Sequence, residues 1–378
     1  MKPKITFITR HYAPSANING ESVRDMVKYL SDKFQIESNV ICINKVDDHG
    51  GANREPVGKV IRIKPIYSGQ KKILRFFAFL YDGFVLTRKA LKYKDTLIVC
   101  TTSPPMLPFW ASLLFNKRIQ WALWSFDLFP EGFNATNFIS AKNPFYKWVV
   151  KQTYKNNPTF LIALGVQQAK YLEAQYQQKI STLLLPCGVL FFQNRSDKIP
   201  DWWEKDKLTL GYCGNLNDAH NPEFLKAIID AMDPNKHQVV LALYGNKAEE
   251  VNSYAKDKPG VVLVKRVPRE QLHFIDIHIV TLRKEWVHIA VPSKAVSAIF
   301  MGGTILFCGD KSSDNWYMFK EAGWFVDENE QMYQNVKQFF ANLTLNSVQQ
   351  RKAKTAELAK KLQNYVLDTY EDIAKRLQ

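Results

Sequence analysis

The chain has 378 residues, 46% hydrophobic and 23% charged, which is globular composition on a length that one hydrophobic core rarely fills, so two domains are expected. No apolar run reaches membrane-spanning length and no signal-peptide pattern precedes the first strand-like stretch, which predicts a cytoplasmic protein. The formal charge of +15 is lopsided: residues 1–160 carry 24 Lys and Arg against 11 Asp and Glu, a balance suited to phosphates, whether of nucleic acid, anionic lipid or a polyprenyl diphosphate, or simply to a solvated basic surface.

In chain order, short apolar runs alternate with segments of helical period, the pattern of a parallel sheet wrapped by crossover helices. Strands are predicted at 4–9, 38–43, 60–66, 96–101, 120–124, 160–163 and 182–185, with helices near 21–33, 71–92, 107–115, 144–155 and 167–176. A charged, aromatic linker at 191–207 follows. The pattern then restarts, with strands at 208–212, 239–244, 261–264, 277–281, 304–308 and 324–326 and helices near 222–232, 248–255, 293–301, 316–321 and 331–343. A last helical stretch, 347–378, carries Leu358, Leu362, Val366 and Tyr370 at a four-residue step. The reading is α/β: a Rossmann-like domain over 1–190, a second over 191–359, and a terminal helix, about 360–378, packing back on the first. Two such domains facing one another across a cleft bind ligands at the carboxyl ends of their strands.

Three loops at such positions carry chemistry. After the first strand comes His11-Tyr12-Ala13-Pro14-Ser15-Ala16-Asn17-Ile18-Asn19-Gly20, in which Gly20 before a helix start would let backbone N–H groups approach an anion, or would merely shape a turn. After the fifth strand, Asp127 and Glu131 stand four apart among aromatics. They are candidate catalytic carboxylates for an acceptor hydroxyl, or else a cap and a solvated side chain. In the second half, Pro292-Ser293-Lys294 opens a helix that ends on Gly302-Gly303, and its first-turn N–H groups with the Lys294 ammonium would cradle a diphosphate. Neither GxGxxG nor GxxxxGK[ST] occurs. The five cysteines, Cys42, Cys100, Cys187, Cys213 and Cys308, lie singly in apolar contexts without zinc spacing and read as reduced core thiols.

In their order and spacing several segments resemble bacterial glycosyltransferase family 4, and within it the enzymes of exopolysaccharide, capsule and O-antigen synthesis. The carriers are HYAP with Gly20, TTSPPMLPFWASLL at 101–114, DLFPE at 127–131, PCGV at 186–189, GYCGNL at 211–216, VPREQL at 267–272, and PSK with its glycine-terminated helix. The resemblance implies the GT-B fold and a nucleotide-sugar donor, commonly a UDP-sugar, with UDP-glucose the commonest. It further implies transfer with retention to a saccharide or polyprenyl-diphosphate-linked acceptor, with no cofactor and no bound metal. It places the base near Val267 and Leu272, with Tyr244 and Gly245 nearby, and Gly214 and Asn215 beside the phosphates and donor sugar. The family's pair of glutamates eight apart falls on Ile289 and Ser297, so ribose contacts would pass to the Ser297 hydroxyl. Its Arg/Lys pair after the glycine loop is replaced by 217–221, so positive charge would come from Lys294 with Arg283 or Lys284.

Residues 71–81 combine Lys71, Lys72 and Arg75 with four aromatics at helical spacing, as an interfacial helix would, though the same rings could serve as core. With the basic first half they suggest peripheral contact with the anionic inner face of the plasma membrane. The competing readings are a sugar-nucleotide epimerase of the same fold, which needs further acid/base carboxylates and histidines in the cleft, and a nucleic-acid-binding protein, for which no recognisable module is present.

Overall fold

The computed structural model describes residues 4–15, 17–44, 54–69, 71–188 and 195–378. The expected domain boundary at 190/191, Ala16 of the first loop, Val189 and positions 191–194 of the linker lie outside the described residues. The chain divides into two compact units, Met1–Cys187 with Tyr365–Gln378, and Gly188–Asn364.

The first unit runs β1 (Lys4–Ile8), α1 (Ile18–Phe34), β2 (Glu37–Ile43), β3 (Lys59–Ile63), α2 (Lys72–Ala90), β4 (Leu97–Thr101), α3 (Leu107–Leu114), β5 (Trp121–Trp124), α4 (Glu131–Ala135), α5 (Pro144–Thr153), β6 (Phe160–Ala163), α6 (Val166–Tyr176) and β7 (Thr182–Leu184). Its sheet is parallel, in the order β3-β2-β1-β4-β5-β6-β7. Strands covered on both faces must be apolar throughout, and β4, β5 and β6 are buried at every position. Helix α1 starts earlier than the sequence suggests because the Asn17 side chain caps it, accepting from the Asn19 N–H at 3.0 Å. Strand β3 stops at Ile63, short of the expected 66, because Pro65 has no N–H to offer a neighbouring strand.

The second unit contains β8 (Leu208–Asn215), α7 (Pro222–Ala231), β9 (His237–Tyr244), α8 (Ala248–Ala255), β10 (Val261–Leu263), β11 (Ile277–Thr281), α9 (Ser293–Phe300), β12 (Thr304–Gly309), α10 (Asp314–Phe319), β13 (Gly323–Asp327), α11 (Met332–Asn342) and most of α12 (Leu345–Leu377). The parallel order is β10-β9-β8-β11-β12-β13. Leu210, Tyr212, Phe224, Ile228, Leu241, Ile279 and Leu306 form the centre of its core. Strand β8 extends three residues beyond the expected 212, held residue for residue against β9 from Leu208↔His237 to Asn215↔Tyr244. The last turns of α12 belong to the first unit: Thr369 donates to the Leu184 carbonyl at 2.8 Å, and Lys33 pairs with Glu371 at 2.5 Å.

In both sheets the strand order reverses once, between β1 and β4 and between β8 and β11. Crossovers leave in opposite directions there, so the loops at the carboxyl ends part and leave a crevice. No helix among the described residues is long and apolar enough to cross a membrane.

Gly20 lies inside the first turn of α1, not ahead of it, and a Cβ there would stand 2.9 Å from both the backbone C and O of His11. The glycine is thus required by the packing of the helix on its own preceding loop. Gly20→Ala is expected to lower the stability of the protein by about 1–3 kcal/mol in urea titration, since the backbone it meets cannot rotate away.

Candidate functional site

The second unit gathers polar groups at its switch point. The loop after β8, 216–221, is shaped by Asn217, whose side chain accepts from the Ala219 N–H at 3.0 Å and whose carbonyl accepts from the His220 N–H at 3.0 Å. The loop after β11 leads through Arg283 to Pro292 and the start of α9. Lys294, in the first turn of α9, reaches back to the end of β8 and donates from Nζ to the Asn215 carbonyl at 3.0 Å. The same oxygen accepts from the Tyr212 hydroxyl at 2.9 Å, and Nζ lies 4.9 Å above the centre of the Tyr212 ring. Room for the lysine stem comes from Gly214. Its φ of +130° suits glycine, and a Cβ would stand 3.1 Å from Lys294 Cε.

His220 completes this arrangement. Its Nδ1 is 2.8 Å from the Thr281 carbonyl, which can only accept, so Nδ1 carries the proton. Burial, and then the nearby Lys294 charge, hold the ring well below the usual histidine range, so it is neutral and Nε2 is a bare acceptor. Nε2 lies 3.3 Å from Lys294 Nζ and accepts from it. Arg283 joins the same loop, donating from Nε to the His220 carbonyl at 3.1 Å.

Behind these groups stands Glu328, just past β13. It accepts from Asn221 Nδ2 at 2.7 Å and from the Lys284 N–H at 2.8 Å, tying together the loops that follow β8, β11 and β13. Burial raises its carboxyl above the usual range, opposed by these donors. Neither Glu328 nor His220 stands out in the sequence. The available signal for His220 was its position just beyond the carboxyl end of the first strand in a doubly wound unit. Ile289, where the resemblance places a glutamate, is a buried core residue.

Gly214, Asn215, Arg283, Pro292, Ser293 and Lys294 are brought together here. Tyr244 and Gly245 adjoin them at the end of β9, where the Leu216 N–H donates to the Tyr244 carbonyl at 2.7 Å. Gly245, at φ +110°, admits no side chain, since a Cβ would meet the Leu216 carbonyl at 2.6 Å. Val267 is buried in an apolar cluster with Val240 and Ala242, and Leu272, partly exposed, packs against it beside Trp202. The Ser297 hydroxyl donates to the Gly188 carbonyl at 3.3 Å, which leaves its lone pairs, not its proton, for any ribose. Pro292 is the residue preceding α9, and its carbonyl accepts from Asn315 Nδ2 at 2.9 Å. Among the described residues no cluster of three or more His, Cys, Asp or Glu could hold a metal ion.

Gly20, Asp127 and Glu131 belong to the first unit. Asp127 is exposed at the carboxyl end of β5. Glu131 corrects the expectation of a paired, open carboxylate site: it is 5% exposed, and its Oε1 accepts from the hydroxyls of Tyr154 at 2.6 Å and Tyr171 at 3.3 Å. The four-residue spacing does not put the two on one helix face, because α4 begins only at Glu131 and the chain turns at Phe129-Pro130 before it.

Burial raises the Glu131 carboxyl above its ordinary 4.5, against the lowering effect of Tyr154 and its own backbone N–H. Below that ordinary value the group is protonated in folded and unfolded chains alike and favours neither. Above it the unfolded chain releases the proton first, so stability falls as pH rises toward the folded pKa. Glu131→Gln is expected to remove this slope. Its melting temperature should gain on the wild type between pH 4 and pH 8, and a constant difference across that range would show that Glu131 does not carry the titration.

No protein-family model matches the chain, and no curated protein matches it in sequence. Solved structures do match in fold. Sucrose-phosphate synthase from Thermosynechococcus elongatus superposes with a TM-score of 0.72 at 14% identity, covering 100% of this chain and 99% of that one. WaaG, a glycosyltransferase involved in lipopolysaccharide biosynthesis, gives 0.68 at 11%, covering 99% of each. Anabaena HepE, solved in complex with UDP and glucose, gives 0.67 at 13%, covering 99% of this chain and 100% of that one. The chain shares their fold, two parallel-sheet α/β domains of the GT-B type.

Proposed function

We propose that the chain is a glycosyltransferase that binds a UDP-sugar, UDP-glucose by preference, at the carboxyl ends of β8 and β11. It would transfer the sugar with retention to a saccharide or polyprenyl-diphosphate-linked acceptor in surface polysaccharide synthesis. The observation that carries the reading is the Lys294 ammonium, fixed at the start of α9 by the Asn215 carbonyl and His220 Nε2. A cation held at a helix N-terminus in a switch-point crevice is built for a diphosphate. The fold shared with HepE, which was solved with UDP and glucose, supports the same choice of ligand.

In the proposed reaction the bond between the sugar C1 and the β-phosphate oxygen breaks, and the diphosphate leaves with the electron pair. Lys294, Arg283 and the first-turn N–H groups of α9 offset the charge that develops on it. The acceptor hydroxyl oxygen forms the new bond to C1, and its proton passes to the departing diphosphate oxygen. Asp127 is proposed to hold that hydroxyl, while Glu131, enclosed by tyrosines, takes a structural part in its place. Tyr244 is proposed to lie along the donor, Val267 and Leu272 near the base, and Gly245 keeps the β9 end close to Asn215. An epimerase would need mobile acid/base groups here, but His220 is engaged at both ring nitrogens.

Lys294→Ala is expected to weaken UDP binding by about 10- to 100-fold in calorimetry, the usual effect of losing a charge-assisted hydrogen bond. An affinity equal to wild type would remove Lys294 from the donor site. Asp127→Asn is expected to lower turnover by at least about tenfold while leaving UDP affinity within about twofold. Equal turnover with the acceptor in hand would take Asp127 out of the reaction.

A further inference from the structure

Helices α2, α3 and α5 of the first unit turn an uncommon set of side chains to solvent. On α2, Leu74, Phe77 and Tyr81 follow one another at three- and four-residue steps along one face, and all three are exposed, Phe77 by 59%. Phe138 and Phe145 are 63% and 65% exposed, and Trp148, on α5, is half exposed. Ring contacts sort these side chains into two groups that meet at one apolar cluster, where Phe133, in contact with Phe76 and Phe138, packs with Phe109 and Trp110. Phe138 packs on Phe76 at 5.5 Å between centroids, Phe84 of α2 meets Trp110 of α3 at 5.1 Å, Phe109 of α3 meets Trp148 at 6.1 Å, and Trp148 stacks on Phe145 at 5.9 Å. The adjoining side of α2 is buried through Ala78, Asp82 and Leu86, so the outward residues extend its apolar stripe beyond the part the core uses.

The charge around these rings has one sign. Segments 71–81, 107–118 and 133–155, which supply the surface, contain nine Lys and Arg and not one Asp or Glu. Lys71, Arg75, Lys142, Lys147 and Lys151 are exposed there.

We propose that this three-helix face docks on an anionic lipid bilayer, with Phe77, Tyr81, Phe138, Phe145 and Trp148 entering the headgroup layer and the lysines lying against anionic headgroups. Aromatic rings backed by cations and interspersed with aliphatic side chains are the composition of interfacial helices. Single-stranded nucleic acid also combines aromatic and cationic contacts, but it takes open ring faces along a groove. Here Phe77 lies edge to face on Phe76, Phe145 and Trp148 stack on each other, Phe138 packs on Phe76 and Phe133, and Leu74 offers a base nothing. The docking does not depend on which reaction the second unit performs.

The test is sedimentation of the full chain with vesicles of phosphatidylcholine alone, and of phosphatidylcholine mixed with phosphatidylglycerol, at low and high salt, with a single-stranded polynucleotide as competitor. Three outcomes support the proposal. The wild type sediments with the mixed vesicles and not with phosphatidylcholine alone, high salt weakens binding, and each of two triple variants loses at least about tenfold in partitioning. The variants are Phe77→Ser, Phe145→Ser, Trp148→Ser, and Lys142→Gln, Lys147→Gln, Lys151→Gln. The lysine variant alters only exposed side chains, so the question stays answerable if the aromatic variant misfolds. Equal sedimentation with both vesicle types, binding that the lysine variant retains, or displacement of the vesicles by the polynucleotide would overturn it.

Discussion

A single carbonyl oxygen, that of Asn215, holds the candidate site in the second unit together. It accepts from the Lys294 ammonium and the Tyr212 hydroxyl at once, and so joins the end of β8 to the start of α9. That junction is possible only because β8 continues as a strand to Asn215, which the full register with β9 enforces. Gly214 and Gly245 follow from it, since each occupies a backbone geometry and a space that a side chain would deny. The lysine is therefore placed by the sheet, and its position is as fixed as the strand pairing beneath it.

Most of the fold was legible in the sequence because parallel strands covered on both faces are plain apolar runs. All thirteen strand segments read from the sequence coincide with observed strands, with differences of a few residues at the ends. The errors have local causes. The extension of β8 was hidden because Gly214 and Asn215 are residues of loops by preference, and only their pairing with β9 makes them strand. Helix α4 was missed because five residues hold too little periodicity to show.

The site was less legible, for a different reason. Lys294 could be singled out from its place at a helix start, but what it bonds to is a backbone carbonyl 79 residues away. His220 gives no local pattern, and its role exists only once β8 and β11 are neighbours. Asp127 and Glu131 were read together from their place after a strand, their spacing and the aromatics around them, and spacing implies a shared face only within one helix. With α4 beginning at Glu131, one carboxylate is exposed and the other is enclosed by tyrosines.

The protonation of His220 has a consequence for how the second unit responds to its surroundings. With Nδ1 committed to a carbonyl and burial disfavouring a second proton, the ring keeps one charge state through the interval in which an ordinary histidine titrates. The acceptor that steadies Lys294 is thus constant there. A terminal diphosphate such as that of UDP changes its own charge near neutrality, whereas the diphosphate esterified within a UDP-sugar does not, so an acidity dependence of capture at this crevice in that interval would not report a rearrangement of this histidine.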